Sequence, residues 1–144
     1  MRRPSVHLLT ASILSALLAG PACGAGGPEC VAVHSTCTPL YAPEYAEIFE
    51  RTLRPTCGQP GTSCHGVDGA QAGLVFDEAD AAYTRLLEGA GNRPPVVVPG
   101  NAACSPLVVR IESTDPKRVM PPGQPLSEAV RCALEQWIDA GAPR

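Results

Sequence analysis

Four side chains with affinity for a soft metal, two of them also able to form thioethers, stand in two short segments. Cys57, Cys64 and His65 fall within Cys57-Gly58-Gln59-Pro60-Gly61-Thr62-Ser63-Cys64-His65-Gly66, and Met120 lies in Val119-Met120-Pro121-Pro122-Gly123. Thiols add to vinyl groups, and imidazole with thioether is a ligand pair for haem iron in electron-carrying sites. The usual attachment spacing is C-x-x-C-H. Six residues rather than two separate Cys57 from Cys64. Pro60-Gly61 is a strong turn signal, so the excess can bulge outward with Cys57 still close to Cys64.

Several chemistries fit this segment. Haem c can be held by thioethers at Cys57 and Cys64, with His65 as proximal and Met120 as distal iron ligand. A single thioether through Cys64 is a second form. A plain Cys57–Cys64 disulfide would close a small loop and contribute about 2–3 kcal/mol. Zinc suits the donor types, but a second well-spaced ligand pair is lacking, because Cys104 and Cys132 are isolated. His7 falls in the leader and His34 in the segment before the domain. A lone methionine often fills a core, but a residue before proline is pushed out of the helical region. That holds Met120 in an extended loop.

The elements that must position these groups are helical. Pro43 suits a first helical position, and Tyr45, Ile48, Phe49 and Leu53 follow at spacings of three and four. Pro55 is expected to end that helix. A second helix is predicted over Asp77–Glu88, with Ala79, Ala82, Tyr83 and Leu86 on one face and Gly89 as its stop. Val96–Val98 is flanked by prolines and reads as extended chain, not a strand. Ser105-Pro106 has the form of an N-cap and N1 pair, opening a short helix with Leu107, Val108 and Ile111. Residues 115–125 form a Pro-rich loop presenting Met120. Ser127 caps a last helix, whose stripe is Val130, Ala133, Leu134, Trp137 and Ile138, and Gly141 ends it. The fold class is therefore all-α: about four to five short helices joined by long Gly/Pro-rich loops.

Residues 1–22 read as a secretory signal peptide. Arg2 and Arg3 precede an apolar run at Leu8–Ala19 too short to span a bilayer, and small residues follow. Cleavage near Ala22 or Ala25 competes with lipidation of Cys23, whose lipobox is displaced because Pro21-Ala22 follow Leu18-Ala19-Gly20. Residues 23–41 read as a flexible tether and 42–144 as one small domain. The expected location is the periplasm or outer cell envelope, with membrane contact only through a lipid on Cys23.

Without Arg2 and Arg3, the 11 basic residues fall to nine against 14 acidic ones, a formal charge of −5. Lys117 is the single lysine. This excludes a nucleic-acid surface. There is no Gly-x-Ser-x-Gly and no Cys-His dyad suited to an exported hydrolase, so no enzymatic activity is expected. Aromatic residues make up 4% of the chain, and a core this poor in large side chains gains from a staple or a cofactor. Seven cysteines in an exported chain imply cross-links. With Cys23 lipidated, six remain. Cys104, before a helix start, is expected to bond Cys132 on the back of the last helix, and Cys30 to close a loop with Cys37.

The ordered set of Ile48-Phe49, Cys64-His65-Gly66, Gly73-Leu74, Val98-Pro99-Gly100-Asn101, Ser105-Pro106-Leu107-Val108, Met120-Pro121-Pro122-Gly123 and Trp137-Ile138-Asp139-Ala140-Gly141-Ala142-Pro143 resembles the class I cytochrome c fold. In particular it resembles a cytochrome c-like module of exported bacterial proteins, over roughly residues 42–143. The resemblance implies that the first and last helices cross through Phe49 and Trp137. It also implies His65 and Met120 on opposite faces of a single haem, in a pocket of Phe49, Leu53, Leu74, Leu107, Ile111 and Trp137. The implied function is one-electron transfer with a redox partner protein that the sequence does not name. The alternative is a haem-free, disulfide-stapled helical module with a structural or interaction role at the cell surface.

Overall fold

The computed structural model describes residues 29–34 and 36–144; the signal peptide and Cys23 lie outside the described residues. The order is α1 (Tyr45–Ile48), a π-helical continuation (Phe49–Cys57), a 3-10 turn (Gln71–Gly73), α2 (Ala79–Glu88), α3 (Pro106–Ile111) and α4 (Glu128–Asp139). No strand occurs among the described residues, only an isolated bridge between Ala90 and Arg93. The fold is all-α.

The apolar stripes meet in one core. Ile48, Leu53, Leu86, Val108, Leu134, Trp137 and Ile138 are fully buried within it. At the crossing of α1 and α4, Tyr45 is the ring that meets Trp137, with centroids 5.7 Å apart. Phe49 lies behind Tyr45 at 6.1 Å. Trp137 donates its indole N–H to the Pro143 carbonyl at 2.7 Å, folding the last residues back onto α4. That satisfies the one polar atom the ring brings into the core.

Pro55 does not end the first helix but lies inside it. A proline in α geometry loses one hydrogen bond and collides with the carbonyl four residues back. Wider π winding changes the pairing, and Gly58 N–H reaches the Leu53 carbonyl, five residues back, at 2.8 Å. Ser105 also departs from expectation. It occupies the N-cap of α3 without capping it. Its buried hydroxyl instead accepts from Val98 N–H and donates to the Asn101 carbonyl, both at 2.9 Å, pinning the extended Val96–Val98 segment.

Cys30, Cys37, Cys104 and Cys132 are all disulfide-bonded, but their pairing is exchanged. The bonds are Cys30–Cys104 and Cys37–Cys132, not Cys104–Cys132 and Cys30–Cys37. The reason is the path of residues 29–41. Val31 N–H donates to the Ala103 carbonyl and Leu40 N–H to the Ala129 carbonyl, each at 2.9 Å. The segment thus runs from the start of α3 to the start of α4. Val31 and Val33 pack on the core, and Gln136 holds the Cys37 carbonyl at 3.0 Å. The back of α4 is therefore covered, and Cys132 is only 1% exposed.

The two bonds span 74 and 95 residues. Loop-closure entropy assigns each about 4–5 kcal/mol taken alone. They interleave along the chain, so the second closes a chain already restrained by the first. Non-reduced peptide mapping should recover Cys30 with Cys104 and Cys37 with Cys132; a Cys104–Cys132 peptide would overturn this pairing. Paired serine substitution of Cys37 and Cys132 should lower the unfolding free energy by roughly 2–5 kcal/mol.

Candidate functional site

The π-helical turn delivers Cys57 to the edge of the core, where its side chain is partly buried and packed. The chain then makes an outward excursion and returns. His65 N–H donates to the Cys57 carbonyl at 3.1 Å, so the ends of the spacer are tied by a backbone bond. Thr62 Oγ1 donates to the Gln59 carbonyl at 2.8 Å, and Gly61 N–H to Asp68 Oδ2 at 3.1 Å. The turn is tight enough to require glycine twice. A Cβ on Gly66 would stand 2.8 Å from the Gln59 carbonyl oxygen, and one on Gly69 only 2.4 Å from that of Cys64. The structure thus brings Cys57, Cys64 and His65 together despite the long spacer.

His65 is oriented by backbone. Its Nδ1 lies 2.9 Å from the Gln71 carbonyl oxygen. A carbonyl can only accept, so Nδ1 carries the proton and Nε2 of the neutral ring keeps the lone pair. Burial pushes the His65 pKa below its usual value, against the pull of the Gln71 and Leu74 carbonyls. The ring is therefore neutral at pH 7. Phe76 packs beside it, ring centroids 5.4 Å apart. Gln71 is itself held between two left-handed alanines, Ala70 (φ 41°) and Ala72 (φ 57°). Non-glycine residues enter that region at a cost of about 1 kcal/mol or more, and the turn accepts it twice around this carbonyl. Nothing in the sequence marks Gln71, because its role lies in its backbone.

Cys57 and Cys64 are both free thiols. The other four described cysteines are disulfide-bonded. Burial, with the adjacent Cys64 adding to it, pushes the Cys57 thiol up to about 12. Among the described residues, no group of three or more His, Cys, Asp or Glu side chains is placed to hold a metal ion.

Met120 is presented separately. Its N–H donates to the Arg110 carbonyl at 3.0 Å, and Val119 is buried beside it. Of the pocket residues, Phe49, Leu53, Ile111 and Trp137 lie in the core, with Leu74 and Leu107 half-buried at its edge. An open hollow of about 520 Å³ separates the Met120 loop from the helix ends, bounded by Ile111, Val119, Gly123 and Arg131. Arg131 secures the far end of the loop. It pairs with Glu112 and donates to the Leu126 carbonyl at 2.6 Å.

Below this node Glu135 is 3% exposed. Burial first, then hydrogen bonding to Glu112 and the Glu112 charge, raise its pKa to about 7. The His34 backbone and Arg131 pull the other way. The backbone of His34, in the N-terminal segment, reaches this carboxyl group.

Residues 62–124 match the family model described as Planctomycete cytochrome C. The matched stretch contains Cys64, His65 and Met120 and leaves Cys57 and α4 outside, and it supports a cytochrome c-like family. No curated protein and no solved structure matches the chain.

Two outcomes follow from the titrations. In protein produced without haem, Cys57 should react with iodoacetamide at pH 8 roughly a hundredfold more slowly when native than in urea, since only the thiolate attacks; equal rates would show an ordinary thiol. Glu135 binds a proton more tightly folded than unfolded. Its contribution is therefore complete below about pH 4.5 and is lost as pH rises through about 7. Glu135→Gln should flatten that slope and exceed the wild type in stability at pH 8 by roughly 1–3 kcal/mol, as read from denaturant unfolding across pH.

Proposed function

We propose that this chain is an exported, monohaem c-type cytochrome-like protein that carries single electrons, with His65 and Met120 as axial ligands. The observation carrying this reading is the orientation of His65. The residue immediately after Cys64 has its Nδ1–H committed to the Gln71 carbonyl, which leaves Nε2 as a lone-pair donor. Two free thiols at Cys57 and Cys64 fit covalent attachment, and the family match spans Cys64, His65 and Met120. The donor set therefore suits haem c.

Bound there, the haem would supply a one-electron couple. The rest falls to the chain. The Gln71 carbonyl holds the His65 ring and its proton at Nδ1. The backbone bond from His65 to Cys57 ties the two ends of the spacer together. The core residues Phe49, Leu53 and Trp137 exclude water, and a neutral thioether at Met120 with a dry surround favours the reduced state. The protein acts as a carrier and not as an enzyme. Its net acidity and single lysine suit a redox partner bound weakly, with modest dependence on salt, and no nucleic acid. Lipidation at Cys23 would place it on an envelope membrane.

Expression of the mature chain in a host competent for cytochrome c maturation tests this. The expected product has a Soret band that survives denaturation. His65→Ala should abolish stable holoprotein. Met120→Ala should keep the haem, lose the weak long-wavelength Met–iron band of the oxidised form, and lower the potential. Deleting four residues within Gly58–Ser63 should raise incorporation if the long spacer only makes the loop a poor substrate for attachment, whereas misfolding of that variant would point to a structural Cys57–Cys64 disulfide. A colourless wild type would refute the proposal and favour the haem-free, disulfide-stapled module.

A further inference from the structure

The first described residues enter the body at a fixed point. Cys30 is bonded to Cys104, and Val31 N–H donates to the Ala103 carbonyl. Glu29, one residue earlier, pairs with Arg118 at 2.5 Å. Arg118 belongs to the loop that presents Met120. Asp115 shapes the turn before it, accepting from Lys117 N–H at Oδ1 and from Arg118 N–H at its carbonyl, both at 2.9 Å. Met120 N–H is bonded to the Arg110 carbonyl, which brings Arg110 alongside. The hydrogen bond from Arg118 first, then the charges of Arg118 and Arg110, hold the Glu29 carboxyl below its usual range.

Charge is therefore distributed unevenly. Arg110, Lys117 and Arg118 gather here against two carboxylates, Glu29 and Asp115, while Glu112 is taken up by Arg131. The remaining described residues carry eleven carboxylates against five basic side chains. Arg110 and Lys117 are exposed and enter no ion pair among the described residues. The end of the domain nearest Cys23 in the chain is thus the basic end of an acidic protein.

The chain from Cys23 to Glu29 reaches at most about 20 Å, less than the roughly 35 Å width of a domain this size. A lipid on Cys23 would keep the Glu29 end at the bilayer and prevent free rotation of the domain. Surface charges act across about one Debye length, ~8 Å at physiological salt, and each basic residue that close to an anionic bilayer binds favourably. The group beside Glu29 is the one placed to come within that range.

We propose that Arg110, Lys117 and Arg118 form a contact surface for anionic phospholipid headgroups, so that the Met120 loop lies against the bilayer. The inference rests on the lipidation of Cys23 proposed above.

Lys117 is the only lysine of the chain, so its amine reports on this surface alone. The protein is extracted with its N-terminal modification, and mass spectrometry of the Cys23 peptide reads its acyl groups. It is then reconstituted on vesicles of phosphatidylcholine alone and of phosphatidylcholine with about 30% phosphatidylglycerol. Labelling of Lys117 by an uncharged amine reagent should be roughly fivefold slower on the anionic vesicles, and the difference should vanish in high salt. Arg110→Gln should lose most of this protection, and Arg51→Gln, an equal charge change on the first helical segment, should keep it. Far-UV circular dichroism establishes that each variant folds, and the wild-type comparison between vesicles stands without them. Equal labelling of an acylated wild type on both vesicles would overturn the contact surface and leave the lipidation reading intact. Protection undiminished in Arg110→Gln, or lost equally in Arg51→Gln, would overturn it as well. A Cys23 peptide without acyl mass would overturn both.

Discussion

Tyr45 is the side chain on which the arrangement depends, because it touches three helices at once. It belongs to α1, meets Trp137 of α4 at 5.7 Å and Tyr83 of α2 edge-on at 4.8 Å, and its hydroxyl donates to the Ala79 carbonyl at the start of α2. Three of the chain's five other aromatic residues, Phe49, Tyr83 and Trp137, gather around this ring. Each such pair is worth about 0.5–1.5 kcal/mol beyond its buried area. Concentrating scarce aromatic surface at one crossing fixes α1, and through the π-helical turn it fixes where Cys57 emerges. The Cys57–His65 segment is thereby referenced to the terminal helix although the two lie far apart in sequence.

The two disulfides complement that hub on the opposite side of α4. Residues 29–41 lack any apolar period, yet Val31, Val33 and Tyr41 pack on the core and Cys37 is bonded to Cys132. The covered face is also where a carboxyl pair, Glu112 and Glu135, shares its surroundings with Arg131. The loop bearing Met120 is therefore joined to the body through a titrating node as well as an apolar one.

The helices were legible because their apolar residues recur at helical spacing: α2, α3 and α4 fall within two residues of expectation. The exceptions follow from interactions that spacing does not encode. Pro55 lies inside a helix because π winding changes which carbonyl is needed. Ser105 does not cap because its hydroxyl is taken by Val98 and Asn101. The cysteine pairing depends on the course of an aperiodic segment, so no pattern around Cys104 or Cys132 reveals it. At the site, Cys57, Cys64, His65 and Met120 announce themselves by residue type. Gln71, a backbone acceptor, does not.

The backbone bond between His65 and Cys57 carries a consequence for how such a chain can vary. The residues between the two cysteines form a side loop whose neck is closed, so residues added at its tip need not displace either sulfur. Glycine at 66 and 69 constrains the neck, whereas Gly61 at the tip faces open space. Length can thus vary at the tip, around Gly61, while Gly58 and Gln59 remain part of the neck. What defines the motif is proximity in space, and a fixed count of intervening residues is only its commonest outcome.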